Sequence, residues 1–117
     1  MSYNKFKNKK TEIDGIKFDS EMESHYYLYL KELKEEGVVV DFELQPAFIL
    51  QEGFIKDGKK IRPITYKADF KVTYIDGHIE VIDVKGKMTE EFKLKRKMLL
   101  YKYRDINFKC VQERGRT

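Results

Sequence analysis

Tryptophan is absent from this chain of 117 residues, cysteine occurs once (Cys110), and proline occurs twice (Pro46 and Pro63). A single cysteine excludes an internal disulfide and fits a reducing cytoplasm. The two histidines, His25 and His78, stand far apart with no cysteine neighbours, so a zinc site has little support. No apolar run approaches the roughly 18 residues that mark a membrane span. The lysines near the N-terminus are not followed by an apolar signal core either. Repeats, low-complexity tracts and linkers are lacking. The expectation is a cytoplasmic protein with no membrane contact, built as one domain over residues 11–117 behind a mobile basic arm, residues 1–10.

What is present suffices for a core. At 41% hydrophobic and 14% aromatic residues, global disorder is excluded, and folding would bury somewhat over ~60% of the extended-chain surface. The net charge of +4 is unevenly spread. Residues 1–10 carry four lysines (Lys5, Lys7, Lys9 and Lys10), residues 11–84 carry 9 basic and 16 acidic side chains, and residues 85–104 carry 8 basic and 2 acidic ones. Positive charge gathered in an arm and one later segment suits a polyanion surface, because each neutralised phosphate releases counterions. A solvated lysine-rich helix explains the second segment equally well.

The local signals place the elements. Asp14-Gly15 between short extended pieces predicts a small hairpin. Ser20 begins a helix running to about Glu36 with Gly37 as its C-terminal cap, and Met22, Tyr26, Leu30 and Leu33 give it an apolar stripe. Val38–Gln45 reads as a strand stopped by Pro46, with Ala47–Leu50 its continuation. Asp57-Gly58 turns the chain, and Ile64–Ile75 and His78–Val84 form a second hairpin. Thr89 caps a helix ending near Tyr103, with Glu90 and Glu91 in its first turn. Asn107–Gln112 is the last strand. This order predicts an α/β or α+β domain.

The second hairpin, ADFKVTYIDGHIEVIDVKG, carries Asp69, Asp83 and Lys85 in runs otherwise suited to a sheet. A two-residue loop at Asp76-Gly77 would put Phe70 opposite Asp83 and mix apolar with charged residues on both faces. A three-residue loop gathers Ala68, Phe70, Val72, Ile82 and Val84 on one face and Asp69, Asp83 and Lys85 on the other. Two registers share that parity, pairing Asp69 with Lys85 or with Asp83, and either brings the three charges within about 5–8 Å. Adjacent carboxylates repel unless one is protonated or a cation lies between them. Aspartate oxygens with the Val84 carbonyl suit Mg²⁺ or Mn²⁺, and a lysine beside them suits charge developing on a phosphate. The plain alternative is a salt-bridge ladder, Asp69–Lys85 and Lys71–Asp83.

Asp69, then Asp83-Val84-Lys85 on the next strand, preceded by a helix bearing Glu23, resembles the PD-(D/E)XK nuclease superfamily, with Asp-x-Lys as its third motif and Ala68 where the signature has proline. The ordered blocks GIKFDS…E, LQP, TYKADF, DVKG and T..F.LK.K, spanning roughly residues 11–111, resemble a family of small bacteriophage proteins of unknown function, DUF1064, often described as Holliday-junction-resolvase-like endonucleases. The resemblance implies a restriction-endonuclease-like core, a four-stranded mixed sheet flanked by helices. It also implies Mg²⁺- or Mn²⁺-dependent cleavage of DNA, with branched DNA favoured and a 5′-phosphate left behind, by a C₂ homodimer acting in phage DNA metabolism in the bacterial cytoplasm. Asp69 and Asp83 resemble the metal-binding acids, Lys85 the active-site lysine, and Glu23 the first-helix acid that ligates or orients; Gln45 matches a family position near the site.

Other roles compete for several of these residues. Ser20 and Glu23 form a capping box, which explains Glu23 without chemistry, and Glu21 is the alternative acid. In the second helix, Leu94, Met98 and Tyr101 form one apolar stripe and Phe92, Leu99 and Tyr103 another, with Lys95 and Lys102 between them and Lys93, Arg96 and Lys97 on the outer arc. Lys95 either snorkels or reaches a phosphate; Lys87, Thr89, Lys93 and Lys97 are further DNA-binding candidates, with the N-terminal lysines along a DNA arm. Cys110 is expected as a buried strand residue. Rival functions are a non-catalytic nucleic-acid-binding protein on the same fold, and a structure-nonspecific nuclease or nickase.

Overall fold

A computed structural model of the chain describes residues 10–112; the expected basic arm, Lys5, Lys7 and Lys9 included, lies outside the described residues except for Lys10. Strands β1 (Thr11–Ile13) and β2 (Ile16–Phe18) form the small hairpin. Its Asp14 and Gly15 both take positive φ, 55° and 78°, the demand of the tight turn that matches strand twist. Helix α1 (Glu21–Glu35) begins where the Ser20 side chain accepts the Glu23 N–H at 3.1 Å. It stops at Gly37, whose φ of 84° lets its N–H reach the Lys34 carbonyl at 3.1 Å.

The main sheet has the order β10-β9-β8-β3, from β3 (Val39–Leu44), β8 (Phe70–Tyr74), β9 (Ile79–Lys85) and β10 (Phe108–Gln112). The β3, β8 and β9 pairings are antiparallel, and β10 joins β9 in parallel after the crossover helix α2 (Glu90–Lys102). Phe70, Val72, Ile82 and Val84 share one cluster with Val39 and with Tyr27 and Leu30 of α1. Val81 belongs to a second cluster with Phe92 and Leu99 of α2. Alternate residues of β9 thus serve different helices, as a two-sided sheet requires. Leu30 is fully buried in the first cluster, and Leu30→Ala is expected to lower stability by about 2–5 kcal/mol in a denaturant titration.

Between β3 and β8 the chain makes a long bent ribbon through β4 (Ala47–Gln51), β5 (Phe54–Lys56), β6 (Lys59–Ile61) and β7 (Ile64–Lys67). Leu44 pairs with Phe70 and Ala47 with Lys67, so one register runs through both halves. The halves are bridged by two bonds, Gln45 N–H to the Asp69 carbonyl at 2.9 Å and Ala68 N–H to the Pro46 carbonyl at 3.1 Å. Here Gln45 adopts a left-handed φ of 50° and Pro46 withholds a donor, and the ribbon kinks.

The kink corrects two expectations. Ile64–Ile75 is not one strand but two, broken at Ala68-Asp69. Ala68 does not share the face of Phe70 and Val72; with Tyr66 it joins the α2 cluster, because the kink turns that half of the ribbon over. In α2, Phe92 and Leu99 are buried and Tyr103 packs behind them, whereas Leu94 (58% exposed) and Tyr101 (72%) face solvent. Of the other expected stripe only Met98 packs against the core. No helix among the described residues is long and apolar enough to cross a membrane.

Candidate functional site

The loop of the second hairpin has three residues, Ile75, Asp76 and Gly77, closed by Tyr74 N–H to the His78 carbonyl at 2.9 Å. Phe70 pairs with Ile82 and Thr73 with Ile79, the second of the two registers allowed by parity. At Asp69 the ladder slips: its N–H bonds the Ile82 carbonyl at 3.1 Å, one step off the register that would set it opposite Asp83. Its carboxylate then stands where a strand residue would, and Oδ2 accepts the Val84 N–H at 2.7 Å. The N–H and C=O of one strand residue point to the same side, so the Val84 carbonyl is directed toward Asp69 as well.

Asp83 follows Val81 on the α2 face and is 1% exposed. Both of its carboxylate oxygens lack a hydrogen-bond partner; the Tyr66 hydroxyl is the other buried side-chain atom in that condition among the described residues. The nearest cation is Lys85, with Nζ 3.9 Å from Oδ2. Burial pushes the Asp83 pKa up to about 6 against the pull of Lys85. A buried ionised carboxylate without donors is unfavourable, and such groups are ordinarily hydrogen-bonded.

Glu23 enters from the first turn of α1. It is 7% exposed, whereas Glu21 is exposed, and of the two it is Glu23 that lies beside Asp69. Burial raises its pKa to about 7, reinforced by the charges of Asp69, Asp19 and Asp83 and opposed by the Asp19 backbone N–H. Asp69 is raised too, chiefly by burial and by Asp19; the Val84 N–H, Lys85 and a hydrogen bond with Glu23 pull it down. Glu23 and Asp69 therefore both hold their protons more tightly than free carboxylates do. Asp19, exposed beside the start of α1, is a further acid of this cluster and not among the residues expected there; its one signal in the chain is its place in the FDSEME run.

Lys85 is held over the Phe92 ring, Nζ 4.6 Å from the centroid, and Arg96 lies over the same ring at 5.7 Å. The salt-bridge ladder does not form: Lys71 sits opposite Val81 and Glu43, and no ion pair joins it to Asp83 among the described residues. Cys110 is half-buried rather than buried; on β10 it pairs with Asp83 of β9, where burial and the Asp83 charge raise its thiol pKa while Arg96 and Lys85 lower it. Arg96, placed by its helical spacing on the outer arc, is thus nearer the carboxylates than expected.

The proposed DNA-binding residues scatter around this centre. Lys95 pairs with Glu91 at 3.3 Å and Lys93 with Glu90 at 3.3 Å. The Thr89 hydroxyl accepts the Phe92 N–H at 3.1 Å as the α2 cap. Lys10, Lys87 and Lys97 are exposed, and Gln45 is exposed at the kink, where its backbone holds Asp69 in place. A cavity of about 450 Å³, lined by Lys71, Val81, Tyr103 and Ile106 among others, touches none of Glu23, Asp69, Asp83 or Lys85.

Among the described residues no three His, Cys, Asp or Glu side chains are disposed to hold a metal ion together. Two carboxylates and a carbonyl remain: Asp69, Asp83 and Val84. These are hard oxygen donors, and the partnerless Asp83 oxygens are what a divalent cation would satisfy, so the residues fit such an ion.

A four-stranded mixed sheet with two helices, carrying an acid–lysine cluster where adjoining strands end, defines an α+β protein. The chain belongs to the family described as "Protein of unknown function (DUF1064)", which matches residues 3–115. No curated protein and no solved structure matches it.

Proposed function

We propose that the chain is a Mg²⁺- or Mn²⁺-dependent DNA endonuclease with a restriction-endonuclease-like core, acting on branched DNA as a homodimer. The observation that carries this reading is Asp83, a carboxylate in the core with no donor, set against Asp69, Glu23 and Lys85. A fold serving only as a binding platform has no reason to retain it. Asp69, Asp83 and the Val84 carbonyl would hold the cation. When bound, it supplies positive charge to the scissile phosphate and acidity to a water.

The chain's own residues do the rest. The Lys85 ammonium, steadied on Phe92, faces charge building on a non-bridging phosphate oxygen. Glu23, with its pKa near 7, is matched to accepting a proton at its carboxylate from the attacking water. The exposed Leu94 and Tyr101 on α2 offer an apolar strip for a second copy, which two symmetric incisions require.

The test offers labelled four-way junction, flap, duplex and single-stranded DNA, with Mg²⁺ or Mn²⁺, to wild type and Asp83→Ala. Cutting by wild type alone, strongest on the junction, is expected. No metal-dependent cutting of any substrate at low salt across a pH series would sink the enzyme reading. Equal cutting of every substrate would leave a nuclease and remove the branched-DNA preference, and a monomer persisting on the junction in light scattering would contradict paired incision.

A further inference from the structure

The far end of the bent ribbon, β5 and β6, is built against its own stability. All six of its strand residues are exposed. Asp57 and Gly58 take φ of 50° and 76°, a tight turn that fixes the register. That register sets Lys56 directly opposite Lys59, a like-charged cross-strand pair that repels. Neither lysine makes an ion pair among the described residues, nor do Lys60 and Arg62.

Apolar surface lies beside this charge. Phe54 faces Ile61 two residues behind the lysine pair, 48% and 38% exposed, and Ile55 on the opposite face is 70% exposed. A two-stranded hairpin with no buried face is marginal in water. Repelling lysines and uncovered apolar groups are therefore features that a partner, and not the fold, would stabilise.

We propose that this hairpin is a duplex-DNA-contacting ribbon, with Lys56 and Lys59 against backbone phosphates and the Phe54 side lying in the major groove. The proposal rests on the nuclease reading and names where that enzyme grips its substrate. Charge selects a polyanion, and a two-stranded β-ribbon is one of the two elements a major groove admits. The connection to the site is covalent and direct: β7 leads from the hairpin to Asp69, and β4 leads back to Gln45 at the same kink. Ten residues separate Lys59 from Asp69, up to about 33 Å of strand. The hairpin therefore reaches duplex flanking the cut and not the scissile phosphate itself.

The experiment is fluorescence anisotropy of the full chain on a labelled duplex, over a salt series in Ca²⁺, comparing wild type with Lys56→Ala/Lys59→Ala and Lys56→Arg/Lys59→Arg. The alanine pair is expected to bind about tenfold or more weaker at low salt, and to lower the slope of log affinity against log salt by about two. The arginine pair is expected to bind as wild type does, and the melting temperature of the alanine pair to stay level or rise. Unchanged affinity and slope in the alanine pair, or no duplex binding by wild type, overturns the proposal. So does light scattering in which the alanine pair breaks a dimer and loses DNA affinity only in step with it, which would make the hairpin a contact between copies. Cutting assays on the same preparations separate the two readings. Metal-dependent cutting with unchanged binding by the alanine pair defeats the hairpin alone; hairpin-dependent binding without cutting defeats the nuclease alone.

Discussion

Replacing Asp83 with asparagine is expected to abolish metal-dependent cleavage, by on the order of 10³-fold or more, while making the chain more stable at about pH 8. The two effects share one cause. At that pH the wild-type side chain is ionised in the core with neither oxygen hydrogen-bonded and its nearest cation 3.9 Å away. Its pKa stands at about 6 against an ordinary 3.8, so the folded state bears an electrostatic penalty of about 3 kcal/mol when the group is charged. Asparagine keeps the shape and removes the charge, while its amide still lacks partners, so the gain is smaller than that penalty. At about pH 4 the aspartate is already neutral and the gain should vanish. Denaturant titrations of both proteins at the two pH values check this. Loss of stability at pH 8 would mean that Asp83 is a structural partner of Lys85 and would remove the argument for a cation.

Much of this site is legible in the residue pattern alone. Strand parity puts Asp83 and Lys85 on the face opposite Ile82 and Val84, because any register that mixed those faces would waste the apolar ones. Glu23 is legible in a way the capping motif obscures: it precedes Tyr27 and Leu30 at helical spacing, so it rides on the buried side. The kink is not legible. Ile64–Ile75 is apolar on both sides of its break, since its two halves serve different helices. What breaks it is a pair of backbone bonds to Gln45 and Pro46, more than twenty residues away. Nor can the pattern choose between the two stripes of α2. Both are apolar, and only the tertiary position of Leu50, Tyr66 and Val81 covers Phe92 and leaves Leu94 bare. Beyond its place in the FDSEME run Asp19 carries no distinguishing signal, and Arg96 carries none, because charged residues near helix starts and on outer arcs are ordinarily solvated. Local patterns report which side chains share a face; they do not report what a bend elsewhere carries toward that face.

Acidification from about pH 8 to pH 5 is expected to stabilise this protein, by about 4 kcal/mol. The sign follows from the raised pKa values. Glu23 titrates near 7 in the folded chain against an ordinary 4.5, and Asp83 near 6 against 3.8. Between the unfolded and folded values the native state binds more protons than the unfolded one, so stability falls as pH rises through that window. The penalty is complete above about pH 7 and gone below about pH 4. Asp69, raised as well, adds to the trend. Below that window the exposed pairs Lys31–Asp14 and Lys34–Asp41 weaken as their carboxylates protonate, so the optimum falls near pH 4 and not lower. Millimolar Mg²⁺ at pH 8 should recover part of the loss, since a ligand bound only by the folded state raises stability with its concentration, and Asp83→Asn should not show this recovery. Calorimetric melting over the pH series, with and without Mg²⁺, decides it. A melting temperature that rises from pH 5 to pH 8 would show that the three carboxylates are not held together in the folded chain. A Mg²⁺ response equal in Asp83→Asn would place the cation elsewhere on the molecule.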